Sequence, residues 1–291
     1  MNYLYHVLCS ICIYAMLGTS LNLAAGYAGM LSLAHASFFG LGAYVTALMM
    51  MKLHVGFWPA VLCAMLVCSM ASLIPSLPSV RLKGDYFVLV TLAFQLIVYS
   101  LILNWVALTN GPFGVSGISG PVILGWKPTD NLSWLVVIGS VGLVLIGLLW
   151  LVKNSPYGLV LRAIRDDEVA ALSLGKHTLA FKISAFAVSA AVAAVPGALY
   201  ASYVHFIDPT SFTLDESILI LSVVIVGGIG SFWGPLWGSL LLVLLPEGLR
   251  FLHVPDAVAA NLRQMAYGLL LILMMLYRPQ GITGDYQLDK P

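Results

Sequence analysis

The first 51 residues contain no Asp, Glu, Lys or Arg. A charged side chain at the bilayer centre costs at least about 2.5–3.5 kcal/mol, so charge-free runs of this length indicate segments that cross a membrane. Further uncharged runs cover residues 53–80, 86–126, 131–152, 183–207, 217–246 and 264–277. Only 9% of all residues are charged and 60% are hydrophobic, which excludes an ordinary soluble enzyme. The sequence therefore predicts an all-α, polytopic integral membrane protein.

The uncharged runs divide into nine predicted crossings, at about 20 residues for each helix. The stretch from Gly26 to Gly29 separates the first two, and Pro or Gly clusters interrupt some of the later runs. The predicted spans are 5–25, 29–51, 57–78, 86–108, 132–152, 179–204, 216–229, 235–250 and 260–277. Together they form a single predicted transmembrane domain over residues 1–291.

Lys and Arg residues in the short loops predict the orientation of these spans, because such residues are enriched on the cytoplasmic side. If the loop 153–178 is cytoplasmic, nine basic residues lie inside and four outside. The inside set is Arg81, Lys83, Lys153, Arg162, Arg165, Lys176, Lys182, Arg278 and Lys290, and the outside set is Lys52, Lys127, Arg250 and Arg263. This asymmetry predicts an external loop at 109–131, an external N-terminus and a cytoplasmic C-terminus.

Eight of the 25 charged residues fall within residues 153–182, and we call the loop 153–178 within this stretch the island. Ser155-Pro156 is typical of a helix start and Gly175 of a helix end, so we predict one helix between them. Its apolar residues Leu161, Ile164, Ala171 and Leu172 lie near one face. Such a helix rests at the membrane surface, as a plain connector on lipid headgroups or as a docking element.

The sequence from Glu168 to Gly175, EVAALSLG, fits the pattern E-x-A-A-x-x-x-G. Small residues allow close helix packing, and the glycine ends or bends the helix where a partner docks. This pattern resembles the cytoplasmic coupling loop of ATP-binding-cassette importer permeases, although the Leu-Pro that continues its longer form is absent.

The island pattern is one of a series of motifs that follow each other along the chain. They are Arg81–Phe87 (RLKGDYF), Asn110–Ile118 (NGPFGVSGI), Ser155–Gly158 (SPYG), Arg162–Glu168 (RAIRDDE), Gly227–Ser231 (GGIGS) and Arg278–Gly281 (RPQG). From about residue 20 to residue 284, this series resembles the LivM-type permease family of branched-chain amino-acid ABC importers.

The resemblance implies a permease subunit in the bacterial plasma (inner) membrane that works by alternating access. Its implied partners are a second, related permease, two cytoplasmic ATPase subunits and a periplasmic substrate-binding protein. Relatives of the family move urea or short amides, so these substrates remain an alternative to branched-chain amino acids. The residues expected to couple this chain to the ATPases are Arg162, Arg165, Asp166, Glu168, Ala170, Ala171 and Gly175. Glu168 offers its charge either to a partner's basic residue or to the island's own arginines.

Candidates for the translocation path are polar residues and helix breaks within the predicted spans. His35 and Gln95 lie well inside their spans, where a polar side chain either binds neighbouring helices or lines the path. Gly227 and Gly228 interrupt an apolar run, which indicates either a broken helix on the path or a tight cytoplasmic hairpin.

Several other functions fit the sequence less well. The chain lacks a Gly-x4-Gly-Lys-Ser/Thr phosphate loop, so it is not expected to bind ATP, and nothing indicates a cofactor, a metal or nucleic acid. An ion-coupled secondary transporter is disfavoured because no acidic residue lies well inside a predicted span and no internal repeat is obvious. A rhomboid-like protease would need Ser116 or Ser119 beside a base such as His205. The Cys9-x-x-Cys12 pair is interpreted as packing within a span.

Overall fold

The computed structural model describes residues 2–79, 85–122, 127–250, 256–278 and 280–284. Within these residues the chain forms thirteen α-helices and one two-stranded sheet. The helices are α1 (Asn2–Asn22), α2 (His35–Lys52), α3 (Phe57–Ala71), α4 (Leu73–Ser79), α5 (Asp85–Asn104), α6 (Val106–Thr109), α7 (Asn131–Asn154), α8 (Pro156–Asp166), α9 (Glu168–Ser173), α10 (Thr178–Val204), α11 (Leu214–Gly227), α12 (Gly234–Arg250) and α13 (Asp256–Tyr277). A π-helical turn, Leu23–Tyr27, continues α1. Short 3₁₀ turns occupy Gly111–Phe113 and Pro209–Phe212, and the strands are β1 (Val115–Ser116) and β2 (Phe206–Ile207).

The core of the bundle is α10, which packs against α1, α2 and α3. Its buried face consists largely of small residues, so neighbouring backbones approach it closely. A Cβ atom added to Gly42 of α2 would lie 2.5 Å from the Cα of Ala194, and one added to Gly197 would lie 2.2 Å from the carbonyl oxygen of Phe39. Glycine is therefore required on both sides of the α2–α10 crossing.

Six segments of the described chain are long and apolar enough to cross a membrane. They are Tyr3–Tyr27, Phe57–Leu77, Tyr86–Asn104, Asn131–Asn154, Thr178–Val204 and Pro209–Gly227. Helices α2, α12 and α13 occupy the remaining three predicted spans without meeting the same criteria of length and composition. The chain is thus an all-α polytopic membrane protein apart from the small sheet, and the count of nine crossings stays a prediction.

The predicted span 29–51 was placed wrongly at its start. Residues 28–34 are mostly buried but not helical, and α2 begins only at His35. Irregular backbone at membrane depth persists only where the protein satisfies its polar groups. Here the Leu33 amide donates to the Thr91 hydroxyl at 3.0 Å, and the Ala34 amide donates to the Ser32 hydroxyl at 3.1 Å. The prediction of this span used only the absence of charged residues, so it gave no sign of these hydroxyl partners.

Two other predicted spans are each divided into two helices. The span 57–78 breaks at Ser72, and Pro75 then falls in the first turn of α4, where a missing amide is tolerated. The span 86–108 ends at Asn104, and the short helix α6 follows it. Helix α6 stops at Asn110, whose φ of 62° is left-handed. Arg81 and Lys83, which contributed to the predicted orientation, lie outside the described residues.

Helices α7 and α10 both run the length of the bundle, from one end to the other. With 24 and 27 residues, they are about 36 and 40 Å long. Helix α7 runs from the 109–131 loop to the island, and α10 returns from the island to β2. Strand β2 pairs antiparallel with β1 of that same loop, with Val115 opposite Ile207. The loop and the island therefore lie at opposite ends, which we call the loop end and the island end.

The close α2–α10 crossing gives a test of the fold. Replacing Gly42 by Ala forces Cβ against the Ala194 backbone, and overpacking of this kind costs at least about 1–3 kcal/mol. We expect lower thermal stability and a smaller monodisperse fraction in detergent, measured by size-exclusion chromatography after heating. Gly139→Ala in α7 is the matched control, since its added Cβ meets nothing within 4 Å. Equal stability of the two variants would contradict the close crossing.

Candidate coupling junction and buried polar residues

The island begins where the sequence predicts but contains two helices instead of one. The Ser155 hydroxyl accepts a hydrogen bond from the Gly158 amide at 3.3 Å, and Pro156 occupies the first position of α8. At Asp167 the backbone becomes extended, with φ of −154° and ψ of 102°. The Asp167 carboxylate then accepts from the Ala170 amide at 2.9 Å. An aspartate that caps a new helix explains why the single predicted helix is wrong.

The second island helix ends where the sequence predicts, but one residue of the predicted apolar face is exposed. Gly175 has φ of +76°, and the Lys176 amide donates to the Ala171 carbonyl at 3.1 Å, so a left-handed glycine closes α9. Leu161, Ile164 and Ala171 are buried as predicted. Leu172, predicted on the same face, is 52% exposed because the break at Asp167 rotates α9 relative to α8.

Arg165 joins the island to the end of α1. Its Nη1 donates to the Gly26 carbonyl at 2.7 Å, and its Nε donates to the Asp166 carboxylate at 2.9 Å. Only 11% of the Arg165 side chain is exposed. A Cβ atom added to Gly29 or Gly230 would lie 3.1 or 2.8 Å from this side chain. The glycines therefore leave the space in which the guanidinium lies.

The glycine hairpin between α11 and α12 contacts the same place. The Asn22 amide group donates to the Ser231 carbonyl at 2.7 Å, and its oxygen accepts from the Gly230 amide at 2.9 Å. Beyond α13, the Thr283 hydroxyl donates to the Gly227 carbonyl at 2.9 Å. Four segments distant in sequence meet here: the turn Gly26–Gly29, Arg165, the hairpin Gly227–Ser231 and Thr283. We call this cluster the junction.

The remaining predicted coupling residues have their contacts within the island or with α10. Glu168 forms an ion pair with Lys182 of α10, with 2.6 Å between Nζ and Oε2, rather than with the island's arginines. Arg162 donates from Nε to the Gly158 carbonyl at 3.4 Å, and Ala170 is exposed. The island thus presents a part-polar surface outward while Arg165 and Glu168 fix it to α1 and α10.

Gln95, a candidate for the path, is buried with both ends of its amide group bonded. Its Oε1 accepts from the Ser37 amide at 2.7 Å, from the Ser37 hydroxyl at 2.6 Å and from the Ser217 hydroxyl at 3.3 Å. Its Nε2 donates to the Phe212 carbonyl at 2.9 Å. The side chain therefore joins α5 to the first turns of α2 and α11, which is the arrangement that helix packing predicts.

His35, the other polar candidate, is also enclosed. Its Nε2 lies 3.0 Å from the hydroxyl of Ser189, which in turn donates to the Ser20 carbonyl. This network assigns the imidazole proton to Nε2. The Nδ1 atom is buried without a hydrogen-bond partner among the described residues. A role of His35 or Gln95 on the path therefore stays a prediction.

Gly227 and Gly228 form the hairpin between α11 and α12. Gly227 ends α11, and a Cβ atom added to it would lie 2.0 Å from the Gly234 carbonyl oxygen. Gly228 has φ of 118°, which only glycine adopts readily. These positions have the geometry of a tight hairpin packed by the residues that follow α13. Their role on the path also stays a prediction.

The sequence reasoning missed two residues whose partners are distant in sequence. Asn22, a polar residue within the first predicted span, bonds the glycine hairpin. Glu216 contradicts the expectation that no acidic residue lies well inside a span, because its carboxylate accepts from Tyr14 in the middle of α1 at 2.6 Å. An acidic residue at the start of an apolar run is typical of a helix N-terminus, so the pattern alone gave no sign of this contact.

The loop end shows why the proposed protease pair is absent from the described structure. His205 has left-handed φ of 60° and donates from Nδ1 to the carbonyl of Ile118 at 2.7 Å. The Gly117 amide donates to the His205 carbonyl at 3.0 Å. The imidazole thus holds the 109–131 loop against the end of α10. Among the described residues, no hydrogen bond joins it to Ser116 or Ser119.

Comparison with known proteins decides the class of this chain. Residues 3–276 match the family described as branched-chain amino acid transport system, permease component. The chain belongs to this family. A member from Salmonella typhimurium LT2, the high-affinity branched-chain amino acid transport system permease protein LivM, is 34% identical over 93% of this chain and 67% of its own length. The LivM protein of Escherichia coli K12 shows the same identity and coverage.

The family also includes a second type of permease. The protein LivH of Escherichia coli K12, named for the same high-affinity transport system, is 26% identical over 95% of this chain and 93% of its own length. No solved structure matches this chain. Members of the family are transport permease subunits and not enzymes, so the protease alternative does not hold for this chain.

The ion pair at the island tests how Glu168 acts. In Glu168→Lys, two cations would face each other, and we expect weaker substrate uptake at normal expression. In the double variant Glu168→Lys, Lys182→Glu the pair is restored in reverse, so we expect most of the uptake to return. An exposed pair is worth under about 1 kcal/mol, so neither variant should unfold the protein. Continued loss in the double variant would show that Glu168 contacts a partner subunit instead.

Proposed function

We propose that this chain is one permease subunit of an ATP-binding-cassette importer that carries branched-chain amino acids across a bacterial inner membrane. The family match over residues 3–276 carries the proposal. The names of the relatives support the substrate, since both LivM and LivH proteins are named for branched-chain amino acid transport. Substrate crosses by alternating access, through a domain of nine helices.

The second permease in this proposal is a related chain. Escherichia coli K12 has both a LivM and a LivH protein named for one transport system, and this chain is similar to each of them. Two related permeases would form a heterodimer around the path. Two ATPase subunits would bind at the island end, and a substrate-binding protein would deliver the amino acid at the loop end.

The island is our candidate for the element that receives motion from the ATPases. Its outward surface includes the exposed side chains of Val169, Ala170 and Leu172. Its inward side is fixed to α1 by the hydrogen bond between Arg165 and Gly26, and to α10 by the pair Glu168–Lys182. A displacement of the island would therefore move α1 and α10 together, and with them the helices that pack on α10.

The proposal assigns the island end to the cytoplasm. The excess of Lys and Arg at that end supports this orientation. Because the loop end lies on the other side of α7 and α10, the 109–131 loop is then periplasmic. Energy comes from the partner subunits, since the sequence contains no phosphate-binding loop.

Uptake into proteoliposomes tests the function. The chain, co-purified with the permease and ATPase subunits of its own system and supplied with the binding protein, should import leucine only when ATP is enclosed on the ATPase side. Unlabelled isoleucine and valine should compete, whereas urea and short amides should not. A protonophore should leave the initial rate unchanged. Competition by urea alone would favour the alternative substrate class, and uptake without ATP would favour an ion-coupled transporter.

Two exposed alanines in short helices at opposite ends test the island. We expect Ala170→Asp in α9 to reach the membrane but to co-purify with less ATPase and to lose uptake, because a new charge then faces the proposed interface. Ala107→Asp in α6 is the matched control at the loop end and should retain its ATPase. Comparing ATPase recovery at equal permease expression gives the answer. Equal ATPase recovery in the two variants would indicate that the island is only a connector resting on lipid headgroups.

A further inference from the structure

Glu216 lies near the middle of the proposed membrane domain. It is 11 residues, or about 16 Å, from the end of α11 at Gly227, which belongs to the junction at the island end. Its hydrogen-bond partner Tyr14 is eight residues, or about 12 Å, before Asn22, which bonds the hairpin of the junction. Tyr14 is the twelfth of 25 residues in the candidate span Tyr3–Tyr27, and Glu216 is the eighth of 19 in Pro209–Gly227, so both spans place this carboxylate near mid-depth.

The protein itself offers this carboxylate little compensation. Its Oε1 accepts from the Tyr14 hydroxyl at 2.6 Å, and the residue is partly exposed. The ion pairs of the described residues, Arg165–Asp166 and Lys182–Glu168, both lie at the island end and exclude Glu216.

The position of Glu216 in the first turn of α11 does not account for it. The helix dipole stabilises such a charge by less than it costs to place a charged residue at the bilayer centre. A transient cation would supply what the protein lacks.

The surroundings indicate what kind of cation fits. Tyr200 of α10 is partly exposed and packs against Phe212, which precedes Glu216 by four residues. The Tyr200 ring lies 5.3 Å from the ring of Phe39 and 6.2 Å from that of Phe212. The Phe39 and Phe212 rings are buried, so among these three rings the partly exposed Tyr200 is the one open to a ligand, and an aromatic face favours a cation. An ammonium group, as in a zwitterionic amino acid, has the charge that both this ring and the carboxylate favour.

We propose that Glu216, positioned by Tyr14, lies on the translocation path and binds the ammonium group of the transported amino acid. The inference rests on the proposed function, because it takes an amino acid as the substrate. It moves the expected path from the enclosed residues His35 and Gln95 to the partly exposed surface formed by α1, α10 and α11.

The complete transporter, reconstituted with its partner subunits and binding protein, tests this site through leucine uptake. In Glu216→Gln the amide oxygen still accepts from Tyr14, so the packing is kept while the charge is lost. A hydrogen bond to a charged group is worth about 1.5–3 kcal/mol, so we expect the initial rate to fall by about tenfold or more. ATP hydrolysis stimulated by the binding protein should persist. Glu216→Asp, which keeps the charge, should retain more uptake than Glu216→Gln.

Asp215→Asn is the matched control, since Asp215 is the neighbouring carboxylate and is exposed; its uptake should equal that of the unsubstituted complex. Unchanged uptake by Glu216→Gln would overturn the site. Equal losses in Glu216→Gln and Glu216→Asp would also overturn it, because shape and not charge would then matter. Failure of the unsubstituted complex to import any branched-chain amino acid would overturn the proposed function and this site with it.

Discussion

The hydrogen bond from Arg165 to the Gly26 carbonyl connects the surface of the molecule to its buried helices. The carbonyl belongs to the π-helical turn at the end of α1, where backbone oxygens no longer have partners within the helix. A cation at that end also interacts favourably with the helix dipole. The arginine reaches this position only because Gly29 and Gly230 carry no side chains. The island, α1 and the glycine hairpin are consequently joined at one point.

The need of every backbone amide and carbonyl for a hydrogen-bond partner constrains the rest of the domain. Residues 28–34 are not helical, although they lie at membrane depth. Side-chain hydroxyls bond their backbone in place of helical carbonyls, as Thr91 does by accepting from the Leu33 amide. The same requirement explains Gln95, whose amide oxygen accepts from the Ser37 amide near the start of α2. Close packing of glycine and alanine at the α2–α10 crossing replaces the hydrophobic driving force that lipid does not provide.

Much of the architecture follows from the sequence, because uncharged runs show where the spanning helices lie. Ser155-Pro156 marks the start of the island helices, and Gly175 marks their end. The break at Asp167 did not follow, since an acidic residue inside an amphipathic pattern is equally typical of an exposed helical face. The partner of Glu168 depended on the distance between α9 and α10, which no local pattern encodes. For the same reason the contact between Glu216 and Tyr14, 202 residues apart, emerged only from the structure.

The bonds of Gln95 have a mechanical consequence. Gln95 is about 15 Å from each end of α5, and its amide fixes that midpoint to the first turns of α2 and α11. Thr91, one turn earlier, accepts from the Leu33 amide, so these hydrogen bonds also fix α5 near its middle. If the helix tilted about this region, its two ends would move in opposite directions, and an opening on one face of the membrane would be accompanied by a narrowing on the other.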